Sequence, residues 1–390
     1  MKFTLSKSIL AGLMLPAAKA VPKKTALPIL ESLLIESDGK TITVTGSDQD
    51  LTIRTRAEFE EAQKEAKGAV CVPAYVLVDL IANLDGKTVV TFETTGKNTI
   101  SCRWDGGECS LPTFEAKDYP DTAFKDEVTM RTTIVPAELA SLLHNASYAA
   151  DAVNDLKPVL AAVLLRSSAD AKTLTAVASD SHVLAVAVAP AAGDEGDIAG
   201  ETLIPRRSAE ILEKFLPTKE ETPAVLEATP SGIRVSVGML SLQCRATLGK
   251  FVDYEKIIPK EAPNVLTVDT ETLASALKII ATCASALHPG IVITANALTG
   301  TQLEGEDTSR GTHARQQVTS SYEGQEGFQI CVPADRLLDA VAHLGNEQVT
   351  LGFTDPRRAV VVRPFGYEGP GDPCALVVPI MKKAAETKAA

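Results

Sequence analysis

The chain of 390 residues is 45% apolar and 4% aromatic, and its 38 basic and 50 acidic side chains leave a formal charge of −12. That size and composition suit several ordinary globular cores, and the acidity excludes attachment to nucleic acid through overall basicity. No apolar run approaches the ~20 residues that a membrane-crossing helix needs.

The first predicted element is a helix over residues 5–18, with apolar side chains at helical spacing. Residues 1–20 also have the make-up of a secretory leader: lysines, then ILAGLMLPAA, then Ala18-Lys19-Ala20. The interior of the chain argues for the helix, because residues 135–149 and 268–281 carry the same pattern. Leu10, Leu139 and Leu273 are equivalent in it, each followed by alanine. Next, LPIL at 27–30 leads into an apolar, β-branched run. Ser47-Asp48-Gln49-Asp50 then marks a turn, and the alternation of LTIRTR at 51–56 predicts a strand. Residues 71–84 (CVPAYVLVDLIANL) predict a second helix behind a proline, and residues 90–100 a hairpin about Thr95-Gly96.

This series returns twice. KPVL at 157–160 and PGIV at 289–292 repeat the lead-in. Ser179-Asp180-Ser181-His182 repeats the turn, with Glu306-Asp307-Thr308-Ser309 as a looser third copy. Residues 203–216 (LIPRRSAEILEKFL) and 331–344 (CVPADRLLDAVAHL) repeat the second helix, and residues 225–237 and 349–362 the hairpin. The helix segments start 132 and 128 residues apart, close to one third of the chain, which makes the repeat the organising fact. Each unit reads strand, helix, several strands, helix, several strands, which is two copies of a smaller motif. The fold class is α+β, with three domains at 1–125, 126–261 and 262–381. The linkers at 121–129 and 258–264 are polar and proline-bearing. The alanine- and lysine-rich tail 382–390 is expected to be disordered.

The chemistry-bearing residues point away from catalysis. Ser181-His182 beside Asp180 invites a hydrolase reading, but chain neighbours in a turn point in different directions, and the equivalent turn at 47–50 has no histidine. The five histidines lack metal-ligand spacing, and no phosphate-binding loop or dinucleotide glycine cluster is present. No catalytic residue, metal or cofactor is expected. The seven cysteines are scattered without CxxC pairs and read as small buried hydrophobes in a reducing compartment. Basic residues recur on or beside the repeated helices: Lys19, Lys23 and Lys24, then Arg206 and Arg207, then Lys278 and Arg336.

At MKFT (1–4), LPILESLL (27–34), SDSHVL (179–184), LIPRR (203–207), GKFVDYEKIIP (249–259) and the terminal Val377-Val378-Pro379, the chain resembles the bacterial DNA polymerase III beta subunits, the DNA sliding clamps. The resemblance runs in order to about Met381. It implies the clamp fold: three domains per chain, each with two helices on antiparallel sheets, and two chains head to tail in a six-domain ring. The helices would line the hole. The implied function is to encircle duplex DNA and tether the replicative polymerase, without catalysis, in the cytoplasm. The implied partners are double-stranded DNA, a second copy, the DNA polymerase III catalytic subunit, the clamp loader, and other polymerases and repair proteins that carry short linear motifs.

Carried over residue by residue, the resemblance makes Lys24, Arg206, Arg207, Lys278 and Arg336 DNA-contact candidates, with Lys214 in second place. It implies a peptide groove at Leu160, Ser179, His182, Leu184, Val252, Ile257, Val360, Leu376, Val377, Val378, Pro379 and Ile380, and a dimer contact at Cys109, Thr282 and Cys283. Departures are visible too. Tyr75 stands where members often carry arginine, Val183 replaces an arginine, Val252 a proline and Met381 a terminal arginine. Small residues at 109, 282 and 283 replace large apolar ones. These predict a weakly basic hole and a ring less stable than usual. Two alternatives stay open: a divergent clamp paralogue with a weak ring or altered partners, and, on the leader-like segment and the Ser-His pair, a secreted enzyme or binding protein.

Overall fold

The computed structural model describes residues 1–96, 98–122, 126–217, 219, 222–285, 290–367, 369 and 371–381. Six α-helices fall among them: α1 (Lys7–Ala18), α2 (Ala74–Asn83), α3 (Pro136–Ser147), α4 (Arg206–Phe215), α5 (Thr270–Ala281) and α6 (Ala334–Leu344). None of the described helices is long and apolar enough to cross a membrane. Proline sets four of the six starts. Pro73, Pro205 and Pro333 each end a strand and stand just before α2, α4 and α6, while Pro136 opens α3. Proline has no N–H to leave unpaired there, and its φ is already fixed near the helical value.

The apolar positions 5 and 268, which the periodicity assigns to helices, belong instead to strands Lys2–Ser6 and Asn264–Asp269. The helices start after them because a capping side chain intervenes. Ser6 Oγ accepts from the Ile9 N–H at 3.5 Å, and Asp269 Oδ1 from the Thr272 N–H at 2.8 Å. The lead-ins at 27–30 and 157–160 are 3₁₀ turns, Pro28–Glu31 and Pro158–Ala161, that feed strands Ser32–Ser37 and Ala162–Ser167. Pro289 of the third lead-in, the residues about the boundary at 125, and the tail 382–390 lie outside the described residues.

Four antiparallel sheets carry the helices. Two have nine strands and run across unit boundaries. In the first, Leu240–Arg245 of the second unit pairs with Leu51–Glu58 of the first, from Leu240 opposite Thr55 to Cys244 opposite Leu51. In the second, Cys374–Val377 of the third unit pairs with Val183–Pro190 of the second, from Cys374 opposite Val186 to Val377 opposite Val183. The other two sheets have four strands each and end on Gly107–Pro112 and on Thr312–Val318.

Each unit buries one helix pair against its sheets, and the apolar cores follow the repeat. Leu10, Leu13 and Met14 of α1 pack with Leu77 and Ile81 of α2, Leu139 and Leu143 of α3 with Leu212 of α4, and Leu273 and Leu277 of α5 with Leu337 and Val341 of α6. The first helix of a unit lies very close to the strand beneath its C-terminal end. A Cβ on Gly46 would sit 2.1 Å from the Ala17 carbonyl oxygen, and one on Gly305 would sit 2.9 Å from that of Ile280. Glycine at these two positions is what lets α1 and α5 settle onto their sheets.

Candidate functional site

Three kinds of surface follow from this architecture: the outward face of the helices, the two seams where units share a sheet, and the edge strands Gly107–Pro112 and Thr312–Val318. The helical face is not basic. Its exposed cations are Arg207, Lys214 and Lys278, whereas Asp79, Glu138, Glu271, Asp335 and Asp339 are exposed carboxylates on the same six helices. Tyr75 and Val76, in the first turn of α2, are exposed and uncharged. The loop after α1 adds Lys19, Lys23 and Lys24, all exposed.

Two of the candidate cations are tied into the structure, Arg206 within the second unit and Arg336 across the second seam. Arg206 is half-buried, with Nε 2.7 Å from Glu210 Oε1 and Nη1 donating to the Ala150 carbonyl. Arg336 is also half-buried, 3.6 Å from Asp180 Oδ2 across the seam between the second and third units. Arg207 makes the matching contact across the first seam, 2.9 Å from Asp48 Oδ2, but stays exposed. Lys24, Lys214 and Lys278 are exposed, and no carboxylate lies within ion-pair distance of them among the described residues.

The turns that receive these arginines are one structure used repeatedly. Asp48 Oδ1 accepts the N–H groups of Asp50 and Leu51 at 3.1 and 2.7 Å, and Asp180 Oδ1 those of His182 and Val183 at 2.8 and 2.7 Å. Gln49 and Ser181 take the left-handed conformation between them, with φ of 81° and 77°. Asp307 accepts from Ser309 and Arg310 in the third copy, and its carboxyl is held below the usual range chiefly by the Ser309 hydroxyl. Ser179 Oγ donates to the Val183 carbonyl and accepts the Ser181 N–H. The Ser181-His182 pair is thus the tip of a repeated turn, with no hydrogen bond between the two side chains.

The second seam carries a buried apolar cluster on the face away from the helices. Leu164, Val177, Leu184, Val186, Val361 and Leu376 form it, and Phe251, Tyr254 and Ile258, which follow the last strand of the second unit, cover it. Arg166 fixes that covering segment, stacking over the Tyr254 ring at 5.4 Å and reaching Glu255 at 3.0 Å. Burial pushes the Tyr254 phenol up, partly offset by the Arg166 charge. Around the rim, Val252, Ile257 and Val378 are exposed, and Leu160, Pro379 and Ile380 are half-buried. The chain end is pinned beside them: Val378 N–H donates to the His182 carbonyl at 2.9 Å, and Ile380 N–H to that of Cys331 at 2.8 Å. His182 itself is exposed.

Two groove candidates lie outside this cluster. Val360 and Val377 are wholly buried in the core of the third unit, on the helix side. Strand side chains alternate between faces, so Cys374 and Leu376 join the outer cluster while Ala375 and Val377 face α6. Val361 rather than Val360 reaches it for the same reason. Sequence reasoning also passed over Phe251, Tyr254 and Ile258, which lie in the GKFVDYEKIIP stretch that already stood out.

The remaining candidates gather at the edge strands. Cys109 lies on Gly107–Pro112, opposite Cys102, and packs half-buried on the first core. Thr282 and Cys283 follow α5, where Thr312 Oγ1 of the other edge strand donates to the Cys283 carbonyl at 3.1 Å. Within the repeat, Gly107–Pro112 corresponds to Leu240–Arg245 and Cys374–Val377, which join neighbouring units. Thr312–Val318 corresponds to Leu51–Glu58 and Val183–Pro190, which receive them. The chain thus ends in one joining strand and one receiving strand, each at the edge of its sheet.

Comparison with known proteins agrees with this geometry. Residues 1–123 match the family model of the DNA polymerase III beta subunit N-terminal domain, and residues 255–369 that of its C-terminal domain, together more than half of the chain. The chain belongs to the DNA polymerase III beta subunit family. Among its relatives, the beta sliding clamp of Caulobacter vibrioides is 24% identical over 373 residues, covering 93% of this chain and 95% of that one. The Vibrio cholerae clamp is 26% identical over 363 residues, with the same shares covered. The crystal structure of the DNA polymerase III beta subunit from Pseudomonas aeruginosa has the same fold, with a TM-score of 0.89 at 23% identity, covering 97% of this chain and all of that one. Beta subunits of this family are non-catalytic processivity factors, in keeping with a Ser-His pair that is only a turn.

Proposed function

We propose that this chain is a DNA sliding clamp: two copies close head to tail into a ring around duplex DNA and hold replication and repair proteins on it. The observation that carries the reading is a pair of edge strands whose counterparts elsewhere in the repeat are paired with each other. Two of the three joins that three units per chain require are already made within the chain, through Leu240–Arg245 and Cys374–Val377. The repeat assigns the third to Gly107–Pro112 of one copy and Thr312–Val318 of the next. A head-to-tail contact of this kind generates a ring when its rotation closes, and closure removes exposed sheet edges. Cys109, Thr282 and Cys283 belong to this contact. We keep the domain divisions at 125/126 and 261/262, and place the clamp in the cytoplasm with the replication machinery.

Retention on DNA is then topological. An exposed helical face with more carboxylates than cations gives no strong phosphate grip, and a ring has no need of one. Lys24, Lys214, Lys278 and Arg207 make the weak contacts with the duplex. Arg336 acts through the second seam, and Arg206 holds α4 within its own unit. The apolar rim of the second seam takes the linear motifs of the polymerase III catalytic subunit, the clamp loader and other partners, with Leu160, Val252, Ile257 and Val378 offering the apolar surface over the buried Leu184 and Leu376, and Ser179, His182, Pro379 and Ile380 forming its polar turn and its border. Apolar pockets with a few fixed polar groups are the usual form of such sites.

A proline at Ser110 tests the ring. The ladder alternates from the two-residue turn Asp105-Gly106, which leaves the Ser110 N–H on the outer side of the edge strand. Ser110→Pro should turn a dimer into a monomer of unchanged melting temperature in sedimentation at micromolar concentration. A dimer that persists in that variant would remove Gly107–Pro112 from the contact. The divergent-paralogue reading draws on the small side chains at 109, 282 and 283, which bury less apolar area at ~25 cal/mol per Å². A wild-type dimer that dissociates already at micromolar concentration would favour it.

A further inference from the structure

The first seam carries, on its outward sheet face, a cluster of arginines that the ring and the peptide groove leave unused. Register alone assembles it. Arg131, Glu227, Arg234, Gln243 and Thr52 stand directly opposite one another across five adjacent strands. One step along, Ser236, Ser241 and Arg54 form the next row, and Arg56 follows Arg54 on the same face of its strand. The side chains surround a depression of about 230 Å³ lined by Arg54, Arg56, Arg234, Glu227 and the Ser236 and Ser241 hydroxyls, among others.

The charge of this depression is unbalanced. Glu227 is the one carboxylate lining it, and it already bonds two guanidinium groups, Arg131 at 2.9 Å and Arg234 at 2.8 Å. Arg54 donates from Nε to the Thr45 hydroxyl at 3.3 Å, and Arg56 is exposed. Neither has a carboxylate within ion-pair distance among the described residues. Glu36, Asp38 and Glu58 line the neighbouring depression, which Arg56 also borders. In a chain of net charge −12, arginines gathered from two units on one outer face are a local reversal of sign.

We propose that this face binds an extended acidic peptide segment of a partner protein, with carboxylates at alternate positions. Same-face side chains two residues apart on a strand are separated by about 6.5–7 Å, both for Arg54 and Arg56 and for alternate residues of an extended peptide. Each guanidinium then meets one carboxylate in the paired N–H···O geometry that favours arginine over lysine. The Ser236 and Ser241 hydroxyls supply donors between them. Single-stranded nucleic acid fits less well, because no aromatic side chain lines the depression for bases to stack on. The proposal holds for ring and monomer alike, since both sides of the seam belong to one chain.

The test uses the full chain and a fluorescent peptide of about a dozen alternating glutamates and serines, followed by anisotropy at low salt. Saturable binding is expected, weakened about tenfold or more in Arg54→Gln/Arg234→Gln through loss of two charge-assisted pairs. Arg54→Lys/Arg234→Lys should fall between, and Arg357→Gln/Arg358→Gln, on an exposed loop elsewhere, should bind as wild type. An unchanged thermal melt shows that the variants fold. Equal affinity of the wild type and the glutamine pair would overturn the proposal. So would an oligo(dT) strand that binds these arginines more tightly than the peptide does, which would make the face a nucleic-acid site.

Discussion

The two seams within the chain are the same joint with opposite surfaces. Both add the third strand of one unit's second hairpin to the third strand of another unit's first half, and in both an arginine from the first turn of a helix reaches the aspartate of a repeated turn. At the second seam, the outward face is apolar and covered by Phe251, Tyr254 and Ile258. His343 braces the helix side, stacked on Tyr148 at 4.1 Å and 4.8 Å from His144. At the first seam the outward face is arginine, serine, threonine and glutamine. Backbone pairing fixes the joint, so the outward side chains are free to diverge. One seam presents an apolar rim over a filled cluster and the other an arginine-lined depression.

The largest expected effect comes from truncating the floor of the apolar seam. Leu184→Ala should cost about 2–4 kcal/mol in chemical denaturation, because the buried site closes only partly around the missing atoms. Ser241→Ala, on the outward face of the first seam, should change stability by no more than ~0.5 kcal/mol. Similar losses for both would mean that the two seams are not built differently.

Next in size is a change that separates binding from folding. Ile257 is half exposed at the groove rim, so Ile257→Ser should leave the melting temperature in place while weakening an apolar clamp-binding peptide about tenfold, near 1.4 kcal/mol. A lowered melting temperature with unchanged peptide affinity would assign Ile257 to packing alone.

The smallest effects belong to the seam ion pairs. Arg207 is largely exposed, and its pair with Asp48 should be worth at most about 1 kcal/mol in stability. Arg336 is better shielded but 3.6 Å from Asp180, and Arg336→Ala should cost a comparable amount. Their difference should show on DNA instead: Arg207→Ala lowers retention at raised salt, and Arg336→Ala does not. Equal loss of retention would place Arg336 at the DNA after all.

The sequence shows the repeat and the helices clearly, because helical period, proline starts and the Asp-centred turns are local signals. What it hides is whatever depends on which strand meets which. Arg206 reads as a free cation on a helix, yet the Ala150 carbonyl it binds is brought to it only by folding. Val360 and Val361 are indistinguishable by composition, and the register of one strand sends one to the core and the other to the groove. Arg54 and Arg56 are visible in LTIRTR, but Arg131 and Arg234 join them only through the seam. The helical face was expected to be weakly basic. Its exposed carboxylates could have been found only once burial separated them from the paired ones.

Retention on DNA of different topology tests the central claim most directly. The protein is loaded onto nicked circular duplex by the clamp loader, and the fraction that stays bound is followed at raised salt before and after a single cut. Stable retention on the circle, with rapid loss once the ends are free, is the predicted result. Equal retention on circular and linear DNA would mean that the chain grips DNA by contact, and would contradict the ring.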